Sequence, residues 1–245
     1  LLLFTNNSIS RLNFAKMMPL VLHKLDSSAP ARAVMMVGHI LEIPFDFIEP
    51  NLMAGEQLDP SYVEKNPMHT VPLLEDKDFV LADSHAISTY LINKYGADKR
   101  STLYPSDLYD RATIDSRLHF DTGVLFARLR AIVDPTMRGT LSGLTEELTS
   151  RVEDAYQILE AYLNKTKYVA LDHFTVADIC CGSTVTSLNT LVPIDCERFP
   201  RVIEWFGALH AESCFQEINA NGVQEFNTFV NNMWMNNQSG VIIAN

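Results

Sequence analysis

Three short segments concentrate the residues able to do chemistry. The first is Ser27-Ser28-Ala29-Pro30-Ala31-Arg32, the second Asn66-Pro67-Met68-His69-Thr70-Val71-Pro72, the third Asp83-Ser84-His85-Ala86-Ile87. A serine just before a helix is commonly its N-cap, with the side-chain oxygen accepting from a bare backbone N–H. The same hydroxyl can donate to an anion, helped by the positive end of the helix behind it. Asp83-Ser84 carries the same pair of readings, a helix cap or a contact to a charged ligand. His69 is a solvated loop histidine or a ligand contact. These alternatives stay open on residue type alone.

The elements around these segments decide whether they meet. Leu20 to Leu25 is short and apolar, as a buried strand is. Asp26-Ser27-Ser28-Ala29-Pro30 supplies helix-start signals, and Ala31 to Leu41 continues as a helix. Phe45 to Ile48 reads as a strand and Leu58 to Lys65 as a short helix. Val71 to Leu74 and Phe79 to Leu81 read as strands around the polar turn Glu75-Asp76-Lys77-Asp78. Ser84 to Tyr95 reads as a helix. The order is β-α-β-α-β-β-α, which demands a parallel crossover followed by a hairpin.

Gly96 to Asp107 is loop-like and contains Pro105. Beyond it the strand signal almost vanishes. Leu118, Leu125, Leu129 and Ile132 recur at helical spacing, as do Leu148, Val152, Tyr156, Leu159 and Leu163. Two more helices are expected around Val176–Leu191 and Arg198–His210. Thr175 and Asp178 are spaced as a capping box, flanked by Phe174 and Ile179 as a hydrophobic staple. The expected class is α+β: residues 18–97 an α/β domain, 98–107 a linker, 108–230 an all-helical domain. Residues 1–17 read as an extension without a fold role, and the Asn-rich stretch 231–245 as a frayed tail.

Composition excludes several classes. The chain has 245 residues, 47% hydrophobic and 20% charged, which rules out a disordered chain. Its net charge of −11 argues against a nucleic-acid partner. No apolar run approaches the ~20 residues that span a bilayer, so no membrane partner is expected. None of its four cysteines (Cys180, Cys181, Cys196, Cys214) form a C-x-x-C pair, which argues against a thioredoxin-type redox motif or a zinc ribbon, and no metal is expected.

In register, these segments resemble the cytosolic glutathione S-transferases, most of all the insect delta/epsilon group. The matching pieces are S-x-P-x-R at Ser28 to Arg32, N-P-x-H-T-V-P at Asn66 to Pro72, and D-S-H-A-I at Asp83 to Ile87. L-H-F-D-T-G-V-L-F-A-R-L-R at Leu118 to Arg130 looks specifically like the epsilon class. The resemblance runs from about Leu20 to Asn231. Ala29 departs from the family's S-P-P turn, Gln57 stands where many epsilon members have histidine, and Asp83 replaces the commoner glutamate.

The resemblance implies a thioredoxin-like N-terminal domain, an all-helical C-terminal domain, a homodimer and a cytoplasmic enzyme, with a non-catalytic binding or assembly module of the same fold as the alternative. Glutathione is the implied co-substrate, hydrophobic electrophiles its partners, and detoxification its role, with dehydrochlorinase or peroxidase side activity. A thiol of pKa ~8.5 is about 7% ionised at pH 7.4. Lowering that pKa by two units makes it about 90% ionised and takes about 2.7 kcal/mol. One hydroxyl donating to a charged acceptor contributes about 1.5–3 kcal/mol, so Ser28 is the implied catalytic residue. Ser27, one residue away, leaves that register open. The peptide before Pro72 is implied to be cis, leaving the Val71 backbone to pair with the cysteinyl unit.

Asp83 and Ser84 are implied to face the γ-glutamyl end, and His85 is a further implied glutathione contact. Gln57, His69 and Thr70 complete the implied glutathione contacts. The implied acceptor pocket comprises Leu25, Phe126, Leu129, Arg130 and Val133. For the apolar members on the helix, a place in the core is an equal alternative.

Overall fold

Leu20 and Leu22 alternate with Val21 and put their side chains into the core, which sets the first strand of the sheet. The computed structural model describes residues 20–240. The expected extension over 1–17 lies outside the described residues.

The first half runs β1 (Leu20–His23), α1 (Ala29–Ile40), β2 (Phe45–Ile48), α2 (Pro60–Lys65), β3 (Leu73–Asp76), β4 (Phe79–Ala82) and α3 (Ser84–Tyr95). The strands form one mixed sheet in the order β2-β1-β3-β4. β1 pairs with β2 in parallel and with β3 antiparallel, and β3 and β4 form a hairpin. This is the thioredoxin-like half of a two-part α+β chain.

Several ends differ from the sequence reading, each for a local reason. β1 stops at His23, not Leu25, and Lys24 turns its ammonium onto Asp26 and Glu49. α1 starts two residues early because Ser28 caps it and Pro30 suits the first turn. β3 begins at Leu73 and absorbs Glu75 and Asp76, leaving Lys77-Asp78 as the turn, with Lys77 at φ 59. The helix expected over Leu58–Lys65 is preceded by two 3₁₀ turns, Leu52–Ala54 and Glu56–Leu58.

The second half is helical: α4 (Arg100–Leu103), α5 (Leu108–Phe120), α6 (Phe126–Met137), α7 (Glu146–Leu163), α8 (Val176–Leu191), α9 (Pro200–Ala211) and α10 (Ala220–Gln238). α4 falls in the stretch read as a linker, held by buried Leu103. A π-helical turn, Asp121–Leu125, joins α5 to α6. α8 is buried on nearly every side and packs against α1. Its start shows the capping box: Thr175 N–H and Oγ1 both donate to Asp178 Oδ2. Val169 N–H and Trp205 Nε1 donate to the other oxygen. Burial outweighs these donors and pushes the Asp178 pKa up to about 6.

The stretch expected to fray from Asn231 is helical through Gln238. Met233 is buried, Trp234 Nε1 donates to Thr136 Oγ1 at 2.9 Å, and Asn237 Nδ2 reaches the carbonyls of Thr136 and Leu141. Two asparagines of the stretch that looks like a disordered tail, Asn231 and Asn237, serve as hydrogen-bonding groups.

Asp76 fixes α3 to β3. Its Oδ2 accepts from Tyr90 at 2.7 Å, Lys94 at 2.6 Å and Tyr95 at 2.5 Å. Burial opposes its charge, but the donors from Lys94, Tyr95 and Tyr90 win and hold its pKa below the ordinary 3.8. Asp76→Asn is expected to cost about 2–3 kcal/mol at neutral pH. A depressed carboxylate pKa gives stability that is present above the unfolded value and is lost as pH falls through the folded value. Melting temperatures of wild type and variant should therefore converge below pH 3.8. A gap independent of pH would count against the pairing.

Candidate active site

Register across the sheet brings the three segments to one end. His23 pairs with Leu73, and Leu73 pairs with Ala82. Ser28 follows the first residue of this row by five, Val71-Pro72 precedes the second, and Asp83 follows the third. The chain therefore leaves or enters the sheet at the same end of the strands in all three places.

Ser28 lies in extended conformation, φ −80 and ψ 114, and its Oγ accepts from Ala31 N–H at 3.4 Å. The cap and the catalytic reading are compatible. A hydroxyl accepting through a lone pair keeps its own hydrogen free to donate. Its neighbour Ser27 presents its carbonyl to Arg32 Nη1 at 3.0 Å.

Arg32 carries more of this site than its place in a motif suggested. It is fully buried. Its Nε donates to Asn219 Oδ1, its Nη1 to the carbonyls of Asp26 and Ser27, and its Nη2 to Ser183 O and Ser187 Oγ. One guanidinium thus ties the loop before Ser28 to α8 and to the π-helical turn Phe215–Asn219. Burial pushes its pKa down to about 9, against the pull of Asp26 and Glu225, so it stays charged at neutral pH. The signal in the sequence was a lone arginine inside the apolar run Ala31 to Val37. Gly222 lets α10 approach this loop: a Cβ there would lie 2.1 Å from Asp26 O.

In the second segment the Val71–Pro72 peptide is cis, as the resemblance implied. Tyr62 OH and Asn66 Nδ2 both donate to Thr70 O at 2.8 Å. Val71 and Thr70 are half-buried, and His69 is exposed at φ 46. Gln57 Oε1 is buried without a partner, which leaves a polar group waiting for a donor.

In the third segment Asp83 sits at φ 76 and ψ 121, a region that side-chain-bearing residues rarely adopt. Its Oδ1 caps α3 by accepting from His85 and Ala86 N–H, both at 3.0 Å. Strain of about 1–3 kcal/mol of this kind persists where the surroundings hold it and gathers at binding sites. Ser84 opens α3, half-buried.

The His85 side chain is engaged by the second domain. Its ring faces the second domain, with Nε2 2.9 Å from Asp121 Oδ2 and Nδ1 3.1 Å from Thr122 Oγ1. Burial opposes its charge, but the Cys180 sulfur and the Asp121 carboxylate overcome it and raise its pKa. With both ring nitrogens engaged, and its N–H on Asp83, its side chain has no donor left for glutathione. Asp121 had no place among the expected site residues.

The acceptor residues divide. Leu129 is 4% exposed and packs in the core, the other of its two readings. Arg130 is half exposed and its Nε donates to Asp134 Oδ1 at 2.6 Å, an ordinary i,i+4 pair. Leu25, Phe126 and Val133 are half-buried. A cleft of about 630 Å³ opens beside the Ser28 loop, lined by Asp26, Gln224, Glu225, Thr228 and Phe229. All but Asp26 come from α10, which sequence patterning left out.

Among the described residues no cluster of three His, Cys, Asp or Glu could hold a metal ion, and no helix is long and apolar enough to cross a membrane.

Comparison with known proteins agrees with this geometry. Residues 22–99 match the family model of the glutathione S-transferase N-terminal domain, and residues 131–212 that of the C-terminal domain. The chain is 42% identical to glutathione S-transferase 1 of Manduca sexta over 207 residues, which is 84% of this chain and 94% of that protein. An epsilon-class glutathione S-transferase from the housefly, Musca domestica, superposes with a TM-score of 0.84 at 38% identity, covering 87% of this chain and 98% of that one. A glutathione transferase homolog from Drosophila mojavensis, solved with bound glutathione, gives 0.83 at 38% identity, covering 89% and 98%. With both halves matched and the three segments at one end of the sheet, this chain belongs to the glutathione S-transferase family.

Proposed function

We propose that the protein is a glutathione transferase of the serine type, which joins the thiolate of glutathione to hydrophobic electrophiles. The observation that supports it most is the row His23–Leu73–Ala82, which sets Ser28, Val71 and Asp83 around one end of the sheet. Asp83 takes the γ-glutamyl ammonium, and Ser84 with the start of α3 takes its carboxylate. The Val71 backbone pairs with the cysteinyl unit, and Gln57 and His69 reach the glycyl end. Ser28 donates to the sulfur once the thiol has released its proton to water. The thiolate then attacks the electrophilic carbon and the leaving group departs with its electron pair. Leu25, Phe126, Val133 and the α10 wall bound the acceptor.

The proposal includes dehydrochlorination or peroxide reduction by the same thiolate as side reactions, and a detoxifying role in the cytoplasm. Retention on immobilised glutathione, with conjugation of a generic aryl halide, tests the reading. Retention without turnover would leave a binding module, and no retention would overturn both. A homodimer is expected as well; sedimentation showing only monomer at micromolar concentration would refute it.

A further inference from the structure

Thr70 O and Val71 N–H belong to one peptide unit, and the oxygen of that unit is held by two side chains. Tyr62 OH and Asn66 Nδ2 each donate to it at 2.8 Å. Asn66 is 1% exposed and Tyr62 8%. Both are fixed from behind. Asn66 Oδ1 accepts from Met68 N–H at 3.1 Å, and His69 N–H donates to Asn66 O at 2.8 Å. The Tyr62 ring meets the His23 ring edge-on at 5.5 Å, and His23 Nε2 lies 2.6 Å from Glu75 Oε1. The other end of the unit is open. The β3 ladder begins at Leu73, and among the described residues no turn or cap bond engages Val71.

Donors on an amide oxygen draw electron density through the peptide and make its N–H a stronger donor. We propose that Tyr62 and Asn66 are positioning residues that aim and polarise the Thr70–Val71 peptide, so that Val71 N–H binds the cysteinyl carbonyl of glutathione. The inference rests on the proposed glutathione reading and adds two residues to it that touch no substrate. Tyr62 suits the task because its phenol stays protonated: burial pushes its pKa up to about 12.

The test uses Tyr62→Phe, which keeps the ring against His23, and Asn66→Ala as an independent second variant. S-methylglutathione binding is measured by calorimetry, conjugation kinetics with an aryl halide, and the Val71 amide by ¹H–¹⁵N spectra. For either variant, dissociation constant and KM for glutathione should rise about three- to tenfold. kcat at saturating glutathione and KM for the halide should stay within about twofold, since Ser28 and the acceptor wall are untouched. The Val71 amide proton should move upfield in the free protein. A purely structural role would lower kcat and raise both KM values together and leave that amide in place, which overturns the inference. Glutathione affinity within twofold of wild type in both variants overturns it too. Wild-type protein that fails to bind S-methylglutathione would overturn the glutathione reading itself.

Discussion

Ser28→Ala is expected to lower turnover at pH 7 by about 3- to 25-fold while glutathione affinity changes little. The hydroxyl supplies about 1.5–3 kcal/mol to the thiolate, one to two pH units in the thiol's pKa. Removing it returns most of the bound thiol to its protonated form, so the rising limb of the pH–rate profile should move up by the same amount. Binding is largely spared because the hydroxyl favours the ionised form, and the thiol that replaces it still fits. Loss of the cap costs about 1 kcal/mol at most, less here because the bond to Ala31 N–H is a long 3.4 Å. An unmoved profile, with Ser27→Ala producing the shift instead, would transfer the role by one residue.

Arg32→Ala should have the largest effect on stability, about 3–5 kcal/mol. Its N–H groups meet five acceptors drawn from the Ser28 loop, α8 and the turn at Asn219. Truncation orphans them in a dry interior and leaves a cavity. Arg32→Lys keeps the charge but loses the planar fork, and its three donors cannot span the same acceptors. It should fall between wild type and alanine in melting temperature. Since the fork holds the carbonyls of Asp26 and Ser27, the lysine variant should also raise the pKa of bound glutathione. A lysine variant that melts like wild type would show that charge alone suffices.

The strands, the helices from α5 to α9 and the three segments were legible in the sequence because each rests on local pattern, whereas α10, the longest helix, was not. The capping box at Thr175 and the helix Val176–Leu191 appear where their spacing placed them. What was not legible depends on distant partners. Asn237 reads as disorder until the carbonyls of Thr136 and Leu141 are known to face it. His85 sits in a glutathione-site motif, but a carboxylate 36 residues away claims its ring. Leu129 shares a helical stripe with Phe126 and Val133, and only packing shows that it alone is sealed in the core. Apolar periodicity finds the inward face of a helix but not which of its residues border a cleft.

The π-helical turn at Asp121–Leu125 makes α5 and α6 two lengths of one screw cut with different phase. One surplus residue in a helix turns everything on one side of it by about 100° relative to the other. Ile114 and Leu118 before the turn, Leu125 at its end and Leu129 and Ile132 after it are all buried, while Asp121 at its start faces His85. The extra residue is thus what lets a polar group look out between two apolar stretches without spoiling either. Chain length here acts as a rotational setting: identities along the helix can drift, but losing a single residue at this point would swing an entire half out of alignment with the rest.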